Sequence, residues 1–294
     1  MKKKILSILL IVALAVSVCS VSACSGEIEQ SSKIQRMIIT LDFYDAAGNV
    51  VDTKDVQAKL YLNFAPESTA RFIKLAEDGY FDGTCVSNVE KTFFEFGGYE
   101  YVDGNFTAKD FDTQKYPALK GEFSKNGWVG NKLTVSAGAL IFKRDTESTK
   151  DVSKYDTAKG GIIVALGSVS KFDASEYCVF GKICSDDAEN NPSSETEDSS
   201  VNRTGLSSLG IVKTVADLVS NDGVTTYYYE KENAFYTKVV ADEETSYYKG
   251  ISTDNNQALS GEELEKIQDL VNKNDSALLT IPYTKVIVKS VKKK

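Results

Sequence analysis

Histidine is absent from all 294 residues, so the side chains available for chemistry are carboxylates, amines, hydroxyls, amides and five thiols. That one fact excludes His-based nucleophilic triads, His-ligated metal sites and imidazole acid–base steps. The acidic residues Asp186, Asp187 and Glu189, and Glu195 with Glu197 and Asp198, lack the D-x-D-x-D-G spacing of a calcium loop and read as solvating charge. No metal and no cofactor is expected. Cys178 and Cys184 lie six residues apart in YCVFGKIC, which reads as one strand. Six strand residues span roughly 20 Å, beyond disulfide reach; that leaves Cys85 paired with one of them, or mostly free thiols, which is the expected state. The stretch with most chemical character runs from Val56 to Gly98 and contains the amide of Asn88 and the aromatics Phe93, Phe94 and Phe96.

The elements that must position those residues follow from periodicity. Met37 to Tyr44 and Val56 to Asn63 alternate apolar and polar residues, with Ala47-Gly48-Asn49 supplying a turn, and are expected to form adjacent antiparallel strands. Pro66 opens a helix that places Phe72, Ile73, Leu75 and Ala76 on one face, and Gly79 is placed to end it. Beyond Cys184, Asp186 to Asn202 reads as an acidic loop. Thr225 to Tyr229 and Ala234 to Val240 read as a hairpin, and Gly261 to Val271 as an amphipathic helix capped by Ser260. Tyrosines 227, 228, 229, 236, 247 and 248 in this region fit strand packing better than a display to partners. No internal repeat is evident.

At the N-terminus, Lys2, Lys3 and Lys4 precede an apolar run from Ile5 to Val18, the layout of an export signal and too short to span a bilayer comfortably. The run ends in Val21-Ser22-Ala23-Cys24, which resembles a bacterial lipobox. The resemblance implies cleavage before Cys24 and lipidation of its sulfur, with residues 1–23 as signal peptide and 24–36 as lipidated residue and tether. Two acyl chains anchor stably where one binds marginally. The expected location is extracytoplasmic, at the surface of a bacterial cell membrane. Loss of residues 1–23 removes three lysines and no acid, so the formal charge goes from −8 to −11. An acidic body argues against nucleic-acid partners.

Ala65, Pro66, Glu67, Thr69, Phe72, Leu75, Gly79, Tyr80, Gly83 and Thr84 fit, without a gap, the pattern APxTVxNFxxLxxxGYYDGT. On these residues the chain resembles the cyclophilins, a family of peptidyl-prolyl cis-trans isomerases. The same register puts Val86, Ser87 and Asn88 where the family has Phe-His-Arg, Phe93 on its own Phe, and Phe96 where it has Gln before Gly97-Gly98. Gly121-Glu122-Phe123 resembles the family's GEF, and Asn131 to Arg144 its NxLxHxxGxLSMAR strand, with Phe142 at a methionine position. Gly160 to Gly167 stands for SQFFIxLG, with Gly161 at a glutamine position, and Val179 to Ile183 matches VFGKV. Leu209 to Val219 resembles the next helix and Ile281 to Val291 the last strand.

The resemblance implies a mostly β fold, a closed antiparallel barrel of about eight strands capped by two helices, spanning residues 37–294. Residues 185–280 contain an α+β insertion before the last strand that the family lacks. It also implies a prolyl isomerase assisting exported proteins, of weak or altered activity, with proline-containing peptides as ligands. The alternative is a non-catalytic proline-peptide or protein-binding scaffold that kept the fold. The substrate groove falls on Phe93, Phe94, Phe96, Phe142, Gly161, Ile162, Phe172 and Tyr177, unless these aromatics fill a closed-over interior. Asn88 takes the catalytic arginine's position and donates a hydrogen bond without charge and with shorter reach. By analogy with oxyanion-hole donors, one lost donor costs about 3 kcal/mol, roughly a hundredfold in rate. Lys91 and Arg144 are the nearby cations, and both read as solvated surface charges.

Overall fold

The computed structural model describes residues 33–45, 47–102, 105–145, 152–185, 206–221, 223–250, 257–275, 277–282 and 284–294. The expected signal peptide, Cys24 and the acidic loop from Asp186 to Asn202 lie outside them. Strands β1 (Ile34–Tyr44) and β2 (Val50–Tyr61) pair antiparallel and run longer than their apolar alternation suggests. Met37, Ile39 and Leu41 on one strand, and Val56, Ala58 and Leu60 on the other, are buried on the inner face. At the turn, Asp45 accepts a hydrogen bond from the Asn49 backbone at 2.8 Å, and Gly48 takes φ 86°, which an L side chain resists.

Helix α1 (Pro66–Glu77) starts with proline at its first turn but has Ala65 at the cap position, whose side chain can accept nothing. The missing cap comes from 54 to 55 residues away: the buried carboxylate of Glu122 accepts from the backbone N–H groups of Glu67 at 3.0 Å and Ser68 at 2.8 Å. The helix lays Phe72, Leu75 and Ala76 on the core, with Phe72 against the rings of Phe81 and Phe180 at 5.0 and 5.2 Å. Each such ring contributes about 2 kcal/mol of burial. Gly79 at φ 68° ends the helix.

The other strands of this sheet are β3 (Ser87–Glu90), β4 (Phe93–Phe96), β7 (Ala139–Phe142), β8 (Ile162–Ala165), β9 (Val179–Ile183) and β15 (Val286–Lys293), with a β5 (Tyr99–Val102) and β6 (Asn105–Ala108) hairpin beside it. The eight-stranded order is β15-β1-β2-β9-β7-β8-β4-β3. Its two ends approach one another just before β3. Gly83 N donates to Val288 O at 2.9 Å, Val288 N to Thr84 O at 2.7 Å and Val86 N to Val286 O at 2.8 Å. The region from Asn131 to Arg144, expected as one strand, is strand only over Ala139–Phe142. Asn131 instead staples loops together, its Nδ2 donating to the carbonyls of Glu122 and Val179, both at 2.9 Å.

Beyond position 205, helix α2 (Ser208–Ala216) is capped by Ser207, whose Oγ accepts from Gly210 N at 3.2 Å. A second sheet follows, made of β10 (Ser220–Asn221), β11 (Val224–Tyr229), β12 (Ala234–Ala241), β13 (Glu244–Lys249) and β14 (Leu278–Ile281), with helix α3 (Gly261–Lys273) before its last strand. The expected hairpin is present as β11 and β12, and β13 extends it. The segment expected as one closing strand from Ile281 to Val291 is two strands in two sheets. Proline at 282 has no N–H to continue a ladder, and β14 ends before it. Tyr228, Leu279 and Ile281 pack with Cys85, Tyr99 and Phe106, fixing the second sheet against the first. Among the described residues Cys85, Cys178 and Cys184 are buried and joined by no disulfide. Among the described residues no helix is long and apolar enough to cross a membrane.

Candidate functional site

Alternation along β4, β8 and β7 decides which side chains can form a site. Phe94 and Phe96, Ile162 and Val164, and Leu140 and Phe142 point inward and join the main core with Phe72 and Phe180. Phe93, Ile163 and Ile141 point outward and form a second apolar layer with Phe172 and Tyr177. Phe94, Phe96, Phe142 and Ile162, expected in the groove, therefore belong to the interior. Two neighbours in a strand cannot share a face.

A cavity of about 620 Å³ lies over the outer layer. Of the expected residues, Asn88, Gly161, Phe172 and Tyr177 line it, joined by Ile163, Glu95, Lys143 and Tyr80. Phe93 sits beneath, its ring 5.0 Å from that of Phe172 and edge to face with it. The floor is apolar and the walls are charged.

Asn88 reaches the cavity through a β-bulge: Ser87 pairs with Glu95 and Glu90 with Phe93, so two residues of β3 oppose one of β4. Its φ of 46° is left-handed, a conformation asparagine tolerates better than most side chains. The bulge turns its Nδ2 onto Glu95 Oε1 at 2.8 Å, and Lys143 Nζ donates to Glu95 Oε2 at 2.7 Å. One carboxylate, 6% exposed, thus holds an amide and an ammonium together. Glu95 and Lys143 were missed from the sequence, although an outward Phe93 makes Glu95 outward too, and an outward Ile141 does the same for Lys143.

Lys143 crosses close over Gly161 on its way to Glu95. A Cβ on Gly161 would lie 3.2 Å from Lys143 Cβ and 3.4 Å from its Cδ, so the lysine stem runs over the glycine. Lys143 N also donates to Gly161 O at 2.9 Å. Neighbouring glycines make a similarly close fit. A Cβ on Gly160 would stand 2.3 Å from the Tyr80 ring, whose hydroxyl donates to Gly97 O at 2.9 Å. Burial pushes the Tyr80 phenol well above its ordinary range, with the Glu100 carboxylate adding to it, so it is a neutral donor.

Arg144, expected as a surface charge, is 4% exposed. Its guanidinium stands 4.4 Å from the ring centre of Tyr177, 5.2 Å from that of Tyr155 and 6.0 Å from that of Phe123, while Nε donates to Glu176 O at 3.1 Å. Aromatic faces and a carbonyl replace its water. Lys91 is exposed, and the cleft's other cations are Lys109, Lys159 and Lys171. Lys171 pairs with Glu90 at 2.8 Å, Lys109 with Glu100 at 2.5 Å and Lys159 with Asp145 at 3.5 Å. Among the described residues no group of three or more Cys, Asp and Glu is placed to hold a metal ion.

The far wall comes from the second sheet: Glu230 at the end of β11, Asn274 and Asp275 after α3, and Leu278 and Thr280 on β14. The arrangement offers an apolar floor for a ring, two donors at one edge and a polar wall opposite. It suits an extended peptide carrying a compact apolar residue.

Residues 49–188, somewhat under half of the chain, match the family model described as cyclophilin type peptidyl-prolyl cis-trans isomerase/CLD. No curated protein matches the chain. Among solved structures it is similar to a cyclophilin type peptidyl-prolyl cis-trans isomerase of Cryptosporidium parvum, at 19% identity over 52% of this chain and 78% of that one, with a TM-score of 0.32. A second structure of that protein, in the presence of the dipeptide Ala-Pro, gives 19% identity, 51% and 78% coverage and a TM-score of 0.31. The Mimivirus cyclophilin gives 14% identity, 65% and 82% coverage and a TM-score of 0.38. The cyclophilin-type match therefore takes in every cleft residue from Tyr80 to Tyr177, and leaves the wall formed by Glu230, Asn274, Asp275, Leu278 and Thr280 outside it.

Proposed function

We propose that the chain is a cyclophilin-type prolyl isomerase of weak activity, working on exported proteins at a bacterial membrane surface to which lipid on Cys24 anchors it. The sheet is read as a closed barrel, supported by the hydrogen bonds from Gly83 and Val86 to β15 and from Val288 back to Thr84. The observation that carries the function is the cleft itself. An apolar floor of Ile163, Phe172 and Tyr177 lies beside the donors Lys143 and Asn88, inside the stretch that matches the family.

Isomerisation must break amide resonance across a barrier of about 20 kcal/mol. In the twisted state the nitrogen regains a lone pair and the carbonyl loses its conjugation, so a site that grips the ring and donates hydrogen bonds there favours the twist over either planar form. Lys143 supplies charge and Asn88 a neutral donor, but both are engaged by Glu95. A ligand must draw them away. This engagement accounts for weak turnover, and it also favours a second reading, a scaffold that binds proline peptides without turning them over.

Exchange NMR on an Ala-Pro-containing peptide, without a coupling protease, separates the two. Cross-peaks between cis and trans that grow with protein concentration establish an isomerase. Shift changes with unaltered exchange establish the scaffold, and neither effect at millimolar peptide refutes both.

A further inference from the structure

The cleft wall outside the family match carries a carboxylate, Glu230, that no cation pairs with among the described residues. Glu90, Glu95 and Asp145 each have a lysine partner. Glu230 has no ion pair or side-chain hydrogen bond among the described residues, although the two residues that follow it do. Lys231 stands 4.0 Å from Asp275, and Glu232 accepts from Tyr236 at 3.0 Å and binds Lys266.

The position of Glu230 is fixed from both directions. It closes β11, the central strand between β12 and β14, and its N–H donates to Ala277 O at 2.9 Å. One residue back but one, Tyr228 is wedged against Tyr99 and Phe106 with ring centres at 6.1 and 4.8 Å, and its hydroxyl donates to Asn233 at 2.9 Å. The carboxylate therefore faces the cleft from a wall docked on the first sheet, not from a free loop.

Its surroundings disfavour negative charge. Crowding by the cleft raises the Glu230 carboxyl above its ordinary range, and the charge of Glu95 across the cavity adds to the effect. Glu230 is nonetheless solvent-exposed, and no counter-ion pairs with it among the described residues. A cation entering the cleft would give Glu230 a counter-charge and offset the repulsion from Glu95.

We propose that Glu230 is a specificity-determining residue that selects peptides carrying a lysine or arginine close to the proline held in the cleft. The inference rests on the cleft being a proline-peptide site. The segment that bears Glu230, outside the family match, thereby becomes a reader of the substrate's flanking sequence.

The test uses the purified protein and Ala-Pro-centred peptides in which lysine is placed in turn at each of two positions on either side of the dipeptide, with norleucine and glutamate as controls of similar length. Affinity is read by NMR titration. At low salt one lysine position binds about fivefold more tightly than its norleucine counterpart, the ordering is Lys, norleucine, Glu, and the preference shrinks in 0.5 M salt. Glu230→Gln brings the Lys-to-norleucine ratio to about one, and Glu230→Asp retains part of it. Binding of all peptides with no lysine preference, or a preference that survives Glu230→Gln, overturns the inference and leaves the cleft reading intact. Absence of binding by every peptide overturns both.

Discussion

Replacing Lys143 by Met and Glu95 by Gln, singly and together, probes the centre of the cleft. Lys143 Nζ lies 2.7 Å from Glu95 Oε2, with the lysine side chain 40% exposed and the glutamate 6%. Unit charges with centres about 4 Å apart attract by about 4 kcal/mol at an effective dielectric near 20. Exposure of the ammonium lets water and salt screen most of that, leaving a net pair of about 1 kcal/mol. Removing Lys143 alone costs more than the pair is worth, because Glu95 is left covered with Asn88 as its remaining side-chain donor. That under-served carboxylate adds about 1–2 kcal/mol. Lys143→Met is therefore expected to lower unfolding free energy by about 2–3 kcal/mol and Glu95→Gln by about 1–2, and the double variant by about 1–2, no more than Glu95→Gln alone, because glutamine leaves no carboxylate to be under-served. Urea titration followed by the fluorescence of Trp128, the only tryptophan, reads all four corners of the cycle. Additivity within about 0.3 kcal/mol would mean that Glu95 and Lys143 do not act as a unit, and the account of the cleft would fail.

Three further outcomes follow from contacts around the site. Gly160→Ala drives a methyl to 2.3 Å from the Tyr80 ring and is expected to destabilise by about 1–3 kcal/mol in the same titration; a neutral effect contradicts the close fit. Glu122→Ala strips the N–H groups of Glu67 and Ser68 of their acceptor and should cost about 2 kcal/mol, with helix α1 losing hydrogen-exchange protection first. Burial pushes the Cys85 and Cys178 thiols from 9.0 to about 12, so their neutral form is favoured in the fold. Because the folded values are raised, that contribution is complete below pH 9 and is lost as pH rises from there toward 12. Peptide mapping after iodoacetamide treatment at pH 8 should find both thiols unmodified in the native protein and modified in urea; native labelling refutes their burial.

What could be read from the sequence divides along physical lines. The pairing of β1 with β2 and the helix from Pro66 were legible because one buried face leaves a period of two or 3.6 in the residues themselves. The cleft was legible as a region, through Asn88 and Gly161 that line it, but not as a surface. Assigning Phe93, Phe94 and Phe96 together ignored the alternation that sends Phe94 and Phe96 inward. Glu95 and Lys143 looked like ordinary strand charges, since their pairing depends on two strands that β8 separates. Arg144 was illegible for a different reason: its cage is assembled from Phe123, Tyr155 and Tyr177, which no local pattern connects. Strand β13, Glu-Thr-Ser-Tyr-Tyr-Lys, has Tyr247 as its one buried side chain, too little apolar contrast to announce an edge strand.

The cleft's substitutions are linked, and the link predicts the direction of a gain. Without a side chain at Gly161 the Lys143 stem fills the space; once there, its ammonium meets Glu95, whose second oxygen takes the Asn88 amide. The site then holds its donors in reserve on a carboxylate instead of presenting them to a ligand. If releasing them costs about 1 kcal/mol in the twisted state, the rate is held down by roughly fivefold. Glu95→Gln loosens that hold while keeping the side chain's shape and one acceptor, so it should raise kcat/KM for cis–trans exchange several-fold even as it lowers stability, the trade-off expected where a strained or charged group sits in a site. Lys143→Met should lower it in either background. A Glu95→Gln protein that exchanges the peptide more slowly than the original would show that Glu95 organises the donors rather than withholding them, and would overturn the proposed link between Glu95 and weak turnover.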